Sequence, residues 1–215
     1  AERAGELTEL GVTQAVSSLD YARALNAALN APLKVHLKLE TGMGRTGFCA
    51  DKDALGDIAA ALSLKNLCFE GVFTHFAVSD CPEDEEYTRF QHRRFEETVR
   101  SAEALRSERF ELIHCANSGA VLNFREYAYD MARPGVIMYG MYPGAEHGGI
   151  ELRPAMSLRS RVYALTEHEP GDTISYGRTF TARRKTRLAV VPIGYADGLH
   201  RVLSNKMDVL IRGVR

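Results

Sequence analysis

The sequence predicts an α/β protein, with strand–helix units over most of the chain and a mostly β stretch after them. Three observations carry this. Over residues 1–140 short apolar runs alternate with amphipathic helical stretches, the pattern of parallel β/α units. After Ala155 helical periodicity weakens, and strand-like runs around a Pro-Gly-Asp turn take over. The composition is that of an ordinary globular protein: 45% hydrophobic and 26% charged over 215 residues. That excludes a disordered tail, a collagen-like repeat and a bare coiled coil. The expected architecture is a partial (β/α)8 TIM-type barrel over residues 1–145, followed by the beginning of a mostly β C-terminal domain over 146–215. A closed barrel takes roughly 250 residues, so its first strands are expected to be missing and the chain to be an internal fragment. A smaller open α/β sheet is the structural alternative.

Residues 12–16 are apolar enough for a first strand. Ser18 caps the helix that follows, whose Ala22, Leu25 and Leu29 share one face. Residues 33–39 form the clearest strand. Leu33, Val35, Leu37 and Leu39 fall on one side of it, Lys34, His36 and Lys38 on the other. Asp51 opens a second helix with Leu55, Ile58 and Leu62 at helical spacing, and residues 69–76 form the next strand, with Gly71 inside it. The longest helix is expected over 80–109, entered through Pro82. Its acidic start, Glu83 to Glu86, suits the positive end of the helix dipole and reads as a solvated face. Tyr87, Phe90, Val99, Ala102 and Leu105 are its expected buried stripe. Two more strands are expected at 112–116 and 136–139, and three in the last region, at 158–165, 187–193 and 207–211.

Lys plus Arg total 27 against 28 Asp plus Glu, a net charge of -1. Without a basic excess no broad nucleic-acid surface is expected. No apolar run approaches the ~20 residues a membrane helix needs. The cysteines Cys49, Cys68, Cys81 and Cys115 lack CxxC or zinc-like spacing, so no metal site is expected; their scatter is that of a reduced, cytoplasmic protein.

In a β/α barrel the active site forms at the C-terminal ends of the strands, and here those ends are polar. The strand at 33–39 runs into Glu40-Thr41-Gly42-Met43-Gly44-Arg45-Thr46-Gly47, where glycines let the backbone turn around Arg45. The next ends at Thr74-His75-Phe76, and the one after at Asn117-Ser118-Gly119. Arg133-Pro134-Gly135-Val136 precedes the last. Taken singly, Arg45 is a salt-bridge partner, His75 a core histidine and Ser118 a helix cap. Donors at four successive strand ends point instead to one ligand. Hydroxyl and backbone N–H groups near helix starts suit a phosphate, and two arginines suit further electron-rich atoms.

The stretches 36–45, 74–77, 114–118, 133–140, 174–180 and 193–198 resemble, in order and spacing, those of the alanine racemases. The resemblance runs through nearly the whole chain. It implies interconversion of L- and D-alanine with pyridoxal 5'-phosphate (PLP), by two bases acting on opposite faces of the substrate, and so a supply of D-alanine for peptidoglycan. It also implies a homodimer with active sites shared between subunits. Tyr195 matches the tyrosine base, which serves the partner subunit's site, and needs cationic neighbours because a free phenol titrates near pH ~10. His75 matches the histidine supporting that tyrosine and contacts the arginine matched by Arg133, which faces the pyridine nitrogen. Arg45 matches the arginine near the ring's phenolic oxygen. Lys38 matches a lysine carried as a carbamate, which orients Arg45. Ser118, Gly135 and Val136 match phosphate ligands, with Asn117 in support, and Tyr176 falls in a stretch lining the substrate entrance.

The family's Schiff-base lysine lies in an Ala-Val-Val-Lys-Ala-Asn-Ala-Tyr-Gly-like stretch that this sequence does not contain. Without that anchor the fragment is not expected to turn over alone. Two rival readings are a serine or broad-spectrum amino-acid racemase and a PLP-binding barrel that stores or senses the cofactor. A non-PLP barrel enzyme acting on a phosphorylated metabolite fits the separate motifs but not their order.

Overall fold

Ser18 is in extended backbone and its hydroxyl accepts the Tyr21 N–H, which starts helix α2 (Leu19–Ala28) as the sequence predicts. Helix α1 (Ala4–Glu9) and strand β1 (Gln14–Val16) precede it. The computed structural model describes residues 2–51, 55–144 and 149–215. The chain divides into two compact units, Ala1–Ala155 and Met156–Arg215.

In the first unit β1 is followed by β2 (Leu33–Glu40), a short β3 (Phe48–Cys49), β4 (Leu67–Phe73) and β5 (Leu112–His114). Helices α2, α3 (Leu55–Leu62) and α4 (Glu85–Arg106) connect them. Every strand pairing in this sheet is parallel, in the spatial order β1-β2-β4-β5, with β3 beside the end of β2. A doubly wound sheet would reverse its order at a switch point; this one runs in a single direction, as barrel strands do. The start expected for α3 at Asp51 runs into residues 52–54, which lie outside the described ones.

Alternation along β2 decides what is buried where. Leu33, Val35, Leu37 and Leu39 are buried in the core with Leu25 of α2, Ile58 of α3 and Phe95 of α4. Each such aliphatic side chain contributes about 1.5–3 kcal/mol by leaving water. On the other face Lys34 is exposed, whereas His36 is buried. Strand β4 stops at Phe73, which leaves Thr74, His75 and Phe76 beyond its end.

Helix α4 corrects the expected stripe. Tyr87, Phe90 and Leu105 are exposed, and the buried face is Thr88, Gln91, Phe95, Thr98, Val99 and Ala102. Gln91 is satisfied by tertiary partners, as described below, and the Thr98 hydroxyl donates to Arg94 C=O one turn back at 2.8 Å, while the buried Thr88 hydroxyl has no hydrogen-bond partner among the described residues. The Pro82–Asp84 segment is a turn of 3-10 helix leading into α4, and Ser107 closes α4 in a left-handed conformation, φ 59°.

Two more expectations change, and the cap alternative for Ser118 falls. Residues 136–139 are not a strand but a 3-10 turn, closed by Met138 N–H to Gly135 C=O and Gly140 N–H to Ile137 C=O. A four-residue apolar run has no periodicity that separates the two. Ser118 is not a cap: Asn117 is the N-cap of α5 (Ser118–Asn123), and Ser118 is its first helical residue. In the second unit β6 (Ala164–His168) pairs antiparallel with β9 (Thr186–Val190), and β7 (Thr173–Ile174) with β8 (Phe180–Thr181). Most of 158–165 lies before β6. Residues 207–211 contribute only an isolated Ile211–Val214 bridge, because among the described residues no strand lies alongside to complete a ladder.

Candidate functional site

Strand β2 ends in Glu40, and the Gly-rich loop closes on that carboxylate. Glu40 Oε1 accepts the Gly42 N–H at 2.6 Å and Oε2 the Arg45 N–H at 3.0 Å, with the Met43 and Gly44 N–H groups directed the same way. Burial raises the Glu40 pKa, but these four backbone donors together outweigh it and hold the group below its ordinary value. Gly47, at φ +144°, passes so close that a Cβ would stand 2.6 Å from Glu40 N. The loop therefore holds one shape, with Arg45 exposed and the Thr46 hydroxyl accepting from Lys38 Nζ at 2.6 Å. Burial, then the charges of Arg45 and Arg133, lower the Lys38 pKa against the pull of Glu40.

Past the end of β4 the buried Thr74 hydroxyl donates to Leu39 C=O at 3.0 Å and lies 2.8 Å from Thr41 Oγ1. Gln91 of α4 holds the next residues: its Nε2 donates to His75 C=O at 3.3 Å and its Oε1 accepts the Ala77 N–H at 2.9 Å. This fixes the backbone that presents the His75 ring. Burial, followed by Arg133, Arg45 and Lys38, pushes the His75 pKa down to about 4, so the imidazole is neutral at pH 7.

Arg133 ties the strand ends together. Its Nη1 donates to His114 Nδ1 at 2.5 Å, and its Nη2 to Thr74 C=O at 2.7 Å and Cys115 C=O at 3.3 Å. Nη2 also stands 3.5 Å from His75 Nδ1, and the guanidinium carbon lies 5.2 Å from the centre of the Phe73 ring. Two residues on, the Gly135 N–H donates to Ser118 Oγ at 2.7 Å, which lays the Arg133–Val136 segment against the start of α5. Asn117 is committed to structure: Oδ1 accepts from Ala120 N–H at 3.0 Å and from the Ser79 hydroxyl at 2.6 Å, and Nδ2 donates to Phe76 C=O at 3.2 Å. Cys115 is buried, its thiol pushed up to about 12 by that burial, so it is no nucleophile.

The structure thus brings His75, Arg133, Ser118, Gly135 and Val136 to the same strand ends, with Arg45 and Lys38 close enough to shift the His75 titration. Tyr195 and Tyr176 belong to the other unit of the chain. Both lie on 3-10 turns, and are 69% and 88% exposed. A cavity of about 460 Å³ lined by Ser79, Cys81, Glu85, Asn123 and neighbours does not include His75, Arg133 or Ser118. Chemistry, not cavity size, marks the site: two arginines, a hydroxyl and a neutral imidazole suit an anionic ligand with an electron-rich ring.

Sequence reasoning missed Glu40, Thr74, Gln91 and His114. For Glu40 the signal was available, since an acid followed by closely spaced glycines is the pattern of a carboxylate held by consecutive backbone N–H groups. For Gln91 and His114 only the tertiary contacts reveal the role.

Comparison with known proteins gives a consistent result. The family model "Alanine racemase, N-terminal domain" matches residues 1–143, and "Alanine racemase, C-terminal domain" matches 155–215. The chain is 41% identical over 219 residues to alanine racemase of Desulforamulus reducens, covering 100% of the chain and 59% of that protein. Among solved structures, alanine racemase of Clostridium difficile 630 superposes with a TM-score of 0.85 at 33% identity, covering 94% of this chain and 53% of that one. Histidine racemase of Leuconostoc mesenteroides superposes with a TM-score of 0.75 at 28% identity, covering 91% and 53%. The chain spans little more than half the length of the relatives it matches. With both family domains matched in order over nearly all of its length, the chain belongs to the alanine racemase family.

Proposed function

We propose that the protein carrying this chain racemises L- and D-alanine with PLP by two-base transfer of the α-proton, supplying D-alanine for peptidoglycan in the cytoplasm. In this reading residues 1–145 contribute part of the cofactor barrel and 146–215 the start of the β domain. The observation that carries it is Arg133, whose guanidinium is clamped by His114 and two strand-end carbonyls beside a neutral His75.

These residues fit the cofactor. Burial lowers the Arg133 pKa, yet a guanidinium keeps its proton in proteins, so toward a pyridine nitrogen it is a donor that will not protonate it. The Ser118 hydroxyl and the Gly135–Val136 backbone form the phosphate end, with Asn117 holding the turn behind them. Arg45 would be the residue that meets the ring's phenolic oxygen. Lys38, crowded by Arg45 and Arg133, gains most from conversion to a carbamate, because an anion there would attract both arginines. When bound, PLP supplies the electron sink for the pair left behind as the α-proton departs.

Tyr195 takes and returns that proton in the site of a second copy of the chain, and Tyr176 lines the entrance there. His75, accepting from Arg133 at Nδ1, carries its own proton on Nε2 and can donate to the Tyr195 oxygen, which favours phenolate. The anchoring lysine and the opposing base are supplied from outside these 215 residues.

The test is the full-length polypeptide incubated with PLP. It should show an absorbance band lost on borohydride reduction and should racemise alanine; Tyr195→Phe should lose racemisation while keeping the band. No racemisation by the wild type with the band present would favour a PLP-binding protein instead. The likeness to a histidine racemase supports a second reading, a racemase of serine or a broader set of amino acids. Faster turnover of serine or histidine than of alanine would establish it.

A further inference from the structure

Behind Arg133, polar side chains continue from the strand ends down the sheet. His114, Glu70 and His36 are all buried, and they touch in a line. Arg133 Nη1 meets His114 Nδ1 at 2.5 Å, His114 Nε2 meets His36 Nδ1 at 2.8 Å, and His36 Nε2 faces Glu70 Oε1 at 3.6 Å. Glu70 in turn accepts from Lys34 Nζ at 2.6 Å and from the Thr13 hydroxyl at 2.9 Å.

The backbone is built for this line. Along the β2–β4 ladder Val35 is opposite Phe69 but His36 is opposite Gly71, so Glu70 is an extra residue in β4. A bulge of this kind re-aims a side chain. At Gly71 a Cβ would stand 2.6 Å from His36 Nε2, so only glycine lets the ring lie there. An acid and a glycine inside an apolar strand, unexplained by packing, are what the relay requires.

The protons can be placed from both ends. A guanidinium only donates, so His114 Nδ1 accepts and its proton is on Nε2. That N–H donates to His36 Nδ1, which puts the His36 proton on Nε2. His36 Nε2 has no partner within hydrogen-bond distance among the described residues. A lone pair there would face a carboxylate oxygen and be repelled; an N–H is attracted. Burial, then Arg133 and His36, push the His114 pKa down to about 3, in keeping with a neutral ring.

We propose that Glu70 is a positioning residue: through His36 and His114 it imposes one proton arrangement on the line and so holds the Arg133 guanidinium in one orientation toward the ligand at the strand ends. This rests on the reading of Arg133 as the residue facing the ring nitrogen. If the carboxylate becomes an amide, its oxygen goes to the Lys34 ammonium, the stronger donor, and its NH2 faces His36. His36 then shifts its proton to Nδ1, His114 Nε2 must accept, and the His114 proton moves to Nδ1 against Arg133. Two donors then confront each other and the guanidinium moves.

The test is nitrogen NMR of the full-length protein labelled with 15N in its histidine rings, read without PLP or substrate. In the wild type His36 and His114 should both be neutral with the proton on Nε2. Glu70→Gln should move the His36 proton to Nδ1, and should lower kcat for alanine by about tenfold to a hundredfold with KM changed by less than about twofold. Glu70→Asp should restore both readouts toward wild type. A wild-type His114 proton on Nδ1, or an unchanged His36 tautomer in folded Glu70→Gln, overturns the relay. Altered tautomers with wild-type kcat overturn the positioning role. Tautomers that respond as expected in a protein that racemises nothing support the relay while refuting the proposed activity. The wild-type tautomers need no variant, and decide the relay even where Glu70→Gln does not fold.

Discussion

The two units of the chain differ in how they bury themselves. In the first, helices α2, α3 and α4 cover one face of a parallel sheet, and a continuous core runs from Ala4 to Tyr127. In the second, Ala182 is the one buried hydrophobic side chain among the described residues, while Leu158, Tyr163, Leu210 and Val214 are largely exposed. Its sheets are two-stranded, β6 with β9 and β7 with β8. Isolated two-stranded ribbons are marginal in water. A strand–helix unit carries its own cover; a hairpin has none, and its apolar face gains stability only when something is laid upon it. The first unit therefore holds its site by internal packing. The second presents Tyr195 on an exposed turn and has no comparable core among its described residues.

Acid should break this contrast most strongly. The His114 pKa is about 3 in the folded state against an ordinary 6.5, so as pH falls the unfolded chain takes up its proton first. The stability tied to this ring is complete above pH 6.5 and is lost as pH falls toward about 3. The loss is about 1.4 kcal/mol for each pH unit in that window. The half-buried His75 adds a smaller loss of the same sign, screened by solvent. Amide exchange resolved by residue should show β2 and β4 losing protection across this range. Unchanged protection there down to pH 4 would mean that the buried imidazoles are charged in the folded state.

Truncation of the two cores should sharpen the comparison. Phe95→Ala empties a fully buried position and should cost about 3–5 kcal/mol in urea unfolding of the full-length protein. Leu210→Ala, at an exposed position, should stay within about 0.5 kcal/mol. A larger cost at Leu210 would show that its face is covered in the full-length protein. Asn117→Ala removes the cap of α5 together with the bonds to the buried Ser79 hydroxyl and to Phe76 C=O, and should cost about 2–4 kcal/mol while leaving the Ser118–Gly135 contact. Gly71→Ala forces a Cβ onto the His36 ring and should cost about 1–3 kcal/mol, and the same substitution should cost clearly less in a His36→Ala background, where no ring meets the Cβ.

Elements with strong local signals were legible before any coordinates. Ser18 caps α2, and β2 alternates as its letters do, because a cap bond and a pleat are set within a few residues. Residues 136–139 were not legible: a short apolar run fits a strand or a turn, and the Gly135–Ser118 bond that accompanies the turn comes from a distant element. The α4 stripe failed for a related reason. Hydrophobicity ranked Tyr87 and Leu105 as core, yet Thr88 and Gln91 are buried, because Gln91 finds its partners in the loops after β2 and β4.

By itself the sequence determined the order of strand–helix units, the polar residues at the strand ends and the family likeness that those residues spell in order, since all three are properties of local runs. Only the tertiary structure decided which of these residues meet. Arg133 reaches His75 and His114 across separate strand ends, and Glu70 reaches His36 through a bulge that shifts the ladder by one residue. Contacts of that kind depend on register and on the space left by a missing Cβ at Gly71. Neither quantity is written in the spacing of letters along one chain; both are set by how neighbouring strands are pressed together when the core leaves water.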